Sequence, residues 1–167
     1  MNYFKLFDLP QTFNINVTLL TKKFYALQRQ FHPDKLYIYP EYTKKDMLQH
    51  SIIINKGYRI LKDSLKRAEY LLFLNGCNMK DKKNFLYDKN FLLEQFNFYE
   101  EIEKIRKSSL NLMRINNLSI RIKKITHNYN IALNQTLKEK NWNQAMSILY
   151  KLLFFKKIKY SLDKLQC

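Results

Sequence analysis

Phe24-Tyr25-Ala26-Leu27-Gln28-Arg29-Gln30-Phe31-His32-Pro33-Asp34-Lys35 is the stretch that decides the fold. Phe24, Leu27 and Phe31 fall at i, i+3 and i+7, one face of a 3.6-residue repeat, so the left half predicts an amphipathic helix with a basic exposed side. Pro33 stops that helix: its ring disfavours the helical conformation for His32 and removes a backbone donor. The product is a corner carrying an imidazole, a rigid ring and a carboxylate, with Lys35 directly after it. Alone, it is compatible with a plain helix end, with His32 favouring the dipole and a proline after it.

The next fifty residues narrow the choice. After a loop comes Ser51-Ile-Ile-Ile-Asn-Lys-Gly-Tyr58-Arg-Ile-Leu61-Lys-Asp63-Ser64-Leu-Lys66-Arg67-Ala68-Glu69-Tyr70. A helix, a His-Pro-Asp corner, a second long helix with Asn55-x-x-Tyr58-x-x-Leu61, and a Lys-Arg-Ala-x-Tyr segment together resemble the J-domain. The resemblance covers residues 1 to 75.

Composition sets outer bounds. The 167 residues are 46% hydrophobic and 15% aromatic, enough for a core, with only two glycines and three prolines, which favours long helices over tight turns. No run of 18 apolar residues appears, so no membrane span is expected. The opening Met1-Asn-Tyr-Phe-Lys-Leu-Phe-Asp8 lacks the pattern of a signal peptide. Cys77 and Cys167 are isolated and read as reduced thiols of a cytoplasmic protein, not as metal ligands or a disulfide. The formal charge of +16 would suit a nucleic-acid binder. However, lysine dominates over arginine and is scattered from Lys5 to Lys164, amid many Asn, Ile, Tyr and Phe. Those residues share AT-rich codons, so compositional drift is the preferred explanation, with attraction to acidic partners as a consequence.

Residues 2–9 predict a short first helix with Tyr3, Phe4, Phe7 and Leu9 as apolar positions, ended by Pro10. Asn16 is a candidate N-cap for a helix from Val17 to Phe31, with Leu20, Phe24, Leu27 and Phe31 on its core face. Lys22 and Arg29 share an exposed stripe, with Lys23 beside it. Residues 35–42 read as a loop. Thr43 with Asp46 resembles a capping box for a helix to Lys62, whose Met47, Ile54, Tyr58 and Leu61 should pack on the second helix. Asp63-Ser64 breaks the run before a helix from Leu65 to Leu74, and Asn75-Gly76 is a stop signal. Residues 76–87 read as a linker. Three more helices are expected, over Asp88–Lys107, Leu110–Lys138 and Trp142–Leu165, with Asn141 capping the last. The expectation is an all-α chain: an N-terminal J-domain at 1–75, an antiparallel helix pair with short flanking helices, then a C-terminal three-helix bundle at 88–167.

The helix that opens the bundle is apolar on two sides. At about 100° per residue, Phe91, Phe98, Ile102 and Ile105 fall within roughly 40° of one line, while Leu92, Leu93, Phe96 and Tyr99 centre roughly 130° away. Glu100 and Glu103 border the second group. Either that group packs on another part of the chain, or it is a partner-binding patch rimmed by carboxylates.

The whole chain resembles the HscB co-chaperones of iron–sulfur cluster assembly. The matching segments are Tyr3-Phe4-x-Leu6-Phe7-x-Leu9-Pro10, Leu27-Gln-Arg-Gln-Phe-His-Pro-Asp-Lys35, Arg67-Ala-Glu-Tyr-Leu-Leu72, Phe91-Leu-Leu-Glu-Gln-Phe96, Glu100-Glu101 and Lys151-Leu-Leu-Phe154. The resemblance implies two partners: a DnaK-class ATP-driven chaperone of the HscA branch and the scaffold protein IscU. It implies chaperone contacts at His32, Pro33, Asp34 and Lys35, with docking charge from Lys22, Lys23 and Arg29. It implies scaffold contacts at Leu92, Leu93, Phe96, Tyr99, Glu100 and Phe154. The sequence departs from the family pattern at Tyr99, where arginine is common, at Asn97, where an acid is common, and at Thr21, Tyr25 and Ala26, often Lys or Arg.

No catalytic residue, metal or cofactor is expected. His32, His50 and His127 show no ligand spacing, neither cysteine has a neighbouring histidine, and there is no glycine-rich phosphate loop. Neither nucleic acid nor membrane is expected as a partner. The alternatives are a general J-domain co-chaperone with another client and a basic helical nucleic-acid binder.

Overall fold

The computed structural model describes residues 2–32, 43–78, 88–107 and 112–165. All regular structure among them is helical, in the order α1 (Tyr3–Leu6), α2 (Val17–Gln30), α3 (Lys44–Lys62), α4 (Ser64–Leu74), α5 (Lys89–Lys107), α6 (Leu112–Lys138) and α7 (Trp142–Asp163). The chain divides into two compact units, Met1–Leu71 and Leu72–Cys167, with the division falling inside α4.

In the first unit α1 is shorter than the expected 2–9. Asp8 takes a left-handed backbone (φ 45°), and the N–H groups of Asp8 and Leu9 turn back to the carbonyls of Lys5 and Phe4. The helix thus ends at Leu6, four residues before Pro10, with Asp8 at the position where glycine is usual. Phe4, Phe7 and Leu9 are nevertheless buried as expected. α1 lies directly against Gly57 of α3: a Cβ there would stand 2.8 Å from Tyr3 Cδ1 and 3.1 Å from Phe7 Cε2.

Asn16 caps α2 by accepting from the Leu19 N–H at 2.9 Å. Thr43 and Asp46 form the full capping box at the start of α3, hydroxyl to backbone and carboxylate to backbone. α2 and α3 run antiparallel. Phe24 stacks on Tyr58 at 4.1 Å, Ser51 Oγ donates to Gln28 Oε1 at 3.4 Å, and Phe31 stacks on His50 at 4.5 Å, so the partner number falls as α2 advances. The expected core face of α2 is only partly sealed. Leu20 is buried, but Phe24, Leu27 and Phe31 are half-buried, because a helix pair leaves one flank of each helix in water.

Asp63 bends the chain and its Oδ1 accepts the N–H groups of Leu65 and Lys66, starting α4. Buried Arg67 donates Nε to the Phe13 carbonyl at 2.7 Å and Nη1 to the Leu61 carbonyl, with its guanidinium over the Phe13 ring. Burial pushes its pKa down, and the nearby Asp63 charge opposes that. One side chain thus ties α4, the end of α3 and the crossing before α2. Gly76 ends α4 with φ +80°, the conformation for which glycine has no Cβ penalty.

In the second unit α5, α6 and α7 form an up-down-up bundle. Phe91, Phe98, Ile102 and Ile105 of α5 join Ile115, Leu118 and Ile122 of α6 and Phe154, Phe155, Ile158 and Leu162 of α7 in one cluster. Aromatic rings meet edge to face in it, as ring quadrupoles prefer: Phe91 on Phe154 at 5.5 Å and Phe98 on Phe155 at 5.2 Å. Residues 108–111, between α5 and α6, lie outside the described residues. Asn141 caps α7, accepting from the Gln144 N–H at 3.3 Å, and the residue before it, Lys140, is left-handed at φ 58°.

Candidate docking surfaces

The first candidate surface is the end of α2. His32 is exposed one residue beyond the α2 C-cap, Phe31. The stack of Phe31 on His50 fixes the backbone there to α3. Pro33, Asp34 and Lys35, the remainder of the motif, lie outside the described residues. Lys22 and Arg29 are exposed on α2 as expected. Lys23 is not available in the same way. Its ammonium is 2.7 Å from Asp8 Oδ2 and 2.7 Å from the Asp8 carbonyl, so it braces the turn after α1. Asp8's carboxyl is held below its usual range by the hydrogen bond and charge of Lys23. Sequence spacing placed Lys23 on the exposed side and missed the acid that reaches it from 15 residues earlier.

The second candidate surface is on α5. Leu92, Leu93, Phe96 and Tyr99 are between 45% and 64% exposed, whereas Phe91, Phe98, Ile102 and Ile105 on the core side are at most 3% exposed. The four exposed side chains make one ridge along the helix. Glu100 and Glu103 stand at its C-terminal end and are themselves paired, Glu100 with Lys104 at 3.2 Å and Glu103 with Arg106 at 2.6 Å, while Glu101 points away from the ridge and pairs with Arg121 of α6. Exposed pairs such as these contribute little to stability and leave carboxylate oxygens open to a cationic partner.

Phe154 does not lie on that ridge. It is 7% exposed and packed against Phe91, Phe98 and Phe155. The expected grouping with the other apolar residues is corrected in one respect: Phe154 sits beneath the ridge, not exposed on it, with its ring edge-on to Tyr99 at 5.7 Å. The reason is that α7 is the middle of the bundle. Its buried residues lie around much of its circumference, so no single face of it can be read as exposed from periodicity. Among the described residues no group of three or more His, Cys, Asp or Glu is placed to hold a metal, and no helix is long and apolar enough to cross a membrane.

Comparison with known proteins agrees over the whole length. Residues 87–163 match the family model described as the HSCB C-terminal oligomerisation domain. A co-chaperone protein HscB from Buchnera aphidicola is 40% identical over 164 residues, 98% of this chain and 94% of its own. A homolog from Vibrio cholerae is 35% identical over 99% of this chain and 97% of its own. The solved structure of the chaperone HscB from Vibrio cholerae superposes with a TM-score of 0.86 at 33% identity, covering 99% of this chain and 98% of that one. The human co-chaperone HscB, at 22% identity and a TM-score of 0.85 over 98% of this chain and 81% of its own, shares the fold. With the double-sided α5, the His-Pro-Asp motif that follows α2 in sequence and these matches along nearly the full chain, the protein belongs to the HscB family, the co-chaperones of iron–sulfur cluster assembly.

Proposed function

We propose that the chain links an ATP-driven chaperone of the DnaK class, its HscA branch, to the iron–sulfur scaffold IscU in the cytoplasm. In this proposal residues 1–75 address the chaperone, residues 76–87 connect, and residues 88–167 hold the scaffold. The hydrolytic chemistry is the chaperone's, and this chain is a docking adaptor with no cofactor of its own. Its binding free energy favours the hydrolysis-competent state of the chaperone.

Asp34 suits a charge-assisted hydrogen bond to a partner arginine, and Pro33 restricts the backbone before it, so little ordering entropy is lost on docking. His32 offers a donor, an acceptor and a flat face. Lys22 and Arg29 steer the encounter toward an acidic surface, so association weakens with salt. On the other unit, Leu92, Leu93, Phe96 and Tyr99 take an apolar patch of the scaffold, and Glu100 faces its cationic rim. Joining the two surfaces in one chain raises the local concentration of scaffold at the chaperone.

The observation that carries this is the ridge: four large apolar side chains of α5 stand in water although the same helix has already buried a full core stripe. The test uses full-length protein with HscA and IscU. His32→Gln should abolish ATPase stimulation and leave IscU binding intact. The double change Leu92→Ala, Phe96→Ala should abolish IscU binding and leave scaffold-independent stimulation intact. Equal damage to both activities by both variants would refute the two-surface account.

A further inference from the structure

We infer that Lys151 of α7, which lies off the ridge, is the positioning residue for the start of α5, an inference that rests on the ridge being the scaffold site. The first turn of α5 carries no acidic residue and begins with Lys89, an unfavourable charge at a helix N-terminus. Its cap therefore falls to Asp88. Oδ1 of Asp88 accepts the Phe91 N–H at 3.1 Å, and Oδ2 of the same carboxylate lies 3.0 Å from Lys151 Nζ. That ammonium also sits 5.1 Å from the centre of the Phe91 ring and 5.9 Å from the Tyr129 ring of α6. One charge is thus shared by all three helices, at the turn from which Leu92 and Leu93 project.

Lys151 is 22% exposed and Asp88 is 40% exposed, so the ammonium is better shielded from water than the carboxylate it pairs with. A capped carboxylate and two ring faces on a half-buried ammonium form a stronger constraint than an exposed ion pair. Burial pushes the pKa of Tyr129 up, the charge of Lys151 opposes this, and the charges of Glu94 and Asp88 add to it, while the Tyr150 ring also packs on Phe91. The ridge depends on this constraint because a frayed first turn would have to be reordered each time a partner bound Leu92 and Leu93.

Lys151→Met keeps the aliphatic stem and removes the charge. In the full chain it should speed hydrogen exchange at the amides of residues 91–93, leave residues 102–105 unchanged, and weaken IscU binding about fivefold, with ATPase stimulation in the absence of scaffold unchanged. Lys151→Arg should restore both exchange and affinity. Ile122→Val, a core change to the same bundle, should alter neither at equal melting temperature. The inference is overturned if Lys151→Met exchanges and binds like the parent, if Ile122→Val reproduces its effect, or if Lys151→Arg fails to restore it. If the unaltered protein does not bind IscU at all while Lys151→Met still speeds exchange at residues 91–93, the scaffold assignment fails and the positioning of α5 by Lys151 is supported.

Discussion

The ring of Tyr99 stands edge-on to the ring of Phe154, 5.7 Å between centres and 79° between planes. A half-exposed residue of the ridge is thereby set by a buried residue of α7. Phe154→Ala should have two separable effects. Loss of a buried phenylalanine costs about 3–5 kcal/mol of stability. Loss of the ring under Tyr99 should also weaken scaffold binding when measured well below the lowered melting point. Phe154→Leu, which refills most of the volume without the ring, should recover most of the stability and less of the affinity. Denaturation and titration of the same samples would separate the two.

The ridge itself predicts the opposite pattern. Leu93 and Phe96 are among its most exposed side chains. Truncating either to alanine should change stability by less than about 0.5 kcal/mol. Scaffold affinity should fall in each. A large loss of melting temperature in Phe96→Ala would show that the ring is packed in solution and so is no docking group.

Much of the fold and of the ridge is legible in the sequence, and the limits are instructive. Phe91, Phe98, Ile102 and Ile105 share one line of a helical wheel, and all four are buried. The caps at Asn16, Thr43 and Asn141 depend on side chains that reach only to the next turn. Local periodicity and capping are properties of a dozen consecutive residues, so sequence carries them. What it does not carry is long-range: Asp8 reaching Lys23, Arg67 reaching Phe13, and Phe154 turned into the bundle. Each depends on which helix lies alongside which, and α7, buried around most of its circumference, has no periodic face that announces its neighbours.

Two backbone positions give stability predictions of opposite sign. Lys140 holds a left-handed conformation at φ 58° between α6 and α7. Lys140→Gly should stabilise by about 1 kcal/mol, because the Cβ penalty vanishes there. Gly57→Ala should destabilise the first unit, since its new methyl would meet Tyr3 Cδ1 at 2.8 Å and force α1 away from α3. Thermal melts of the two variants should move in opposite directions.

The capping box of α3 makes stability acid-sensitive at a defined place. Asp46's carboxyl is held below its usual range, chiefly by the hydrogen bond from the Thr43 hydroxyl and then by the Thr43 backbone N–H, with smaller help from the charges of His50 and Lys45. Its folded pKa is therefore below its unfolded one. The contribution is fully present above the unfolded value, about 3.9, and is lost as pH falls through the lower folded value. Hydrogen exchange at the first amides of α3, corrected for intrinsic rate, should accelerate as pH is lowered through and below that range. In Asp46→Asn the same amides should show no such acid step, because the group that titrates is gone. An acid step that survives the substitution unchanged would place its origin outside the Thr43–Asp46 box.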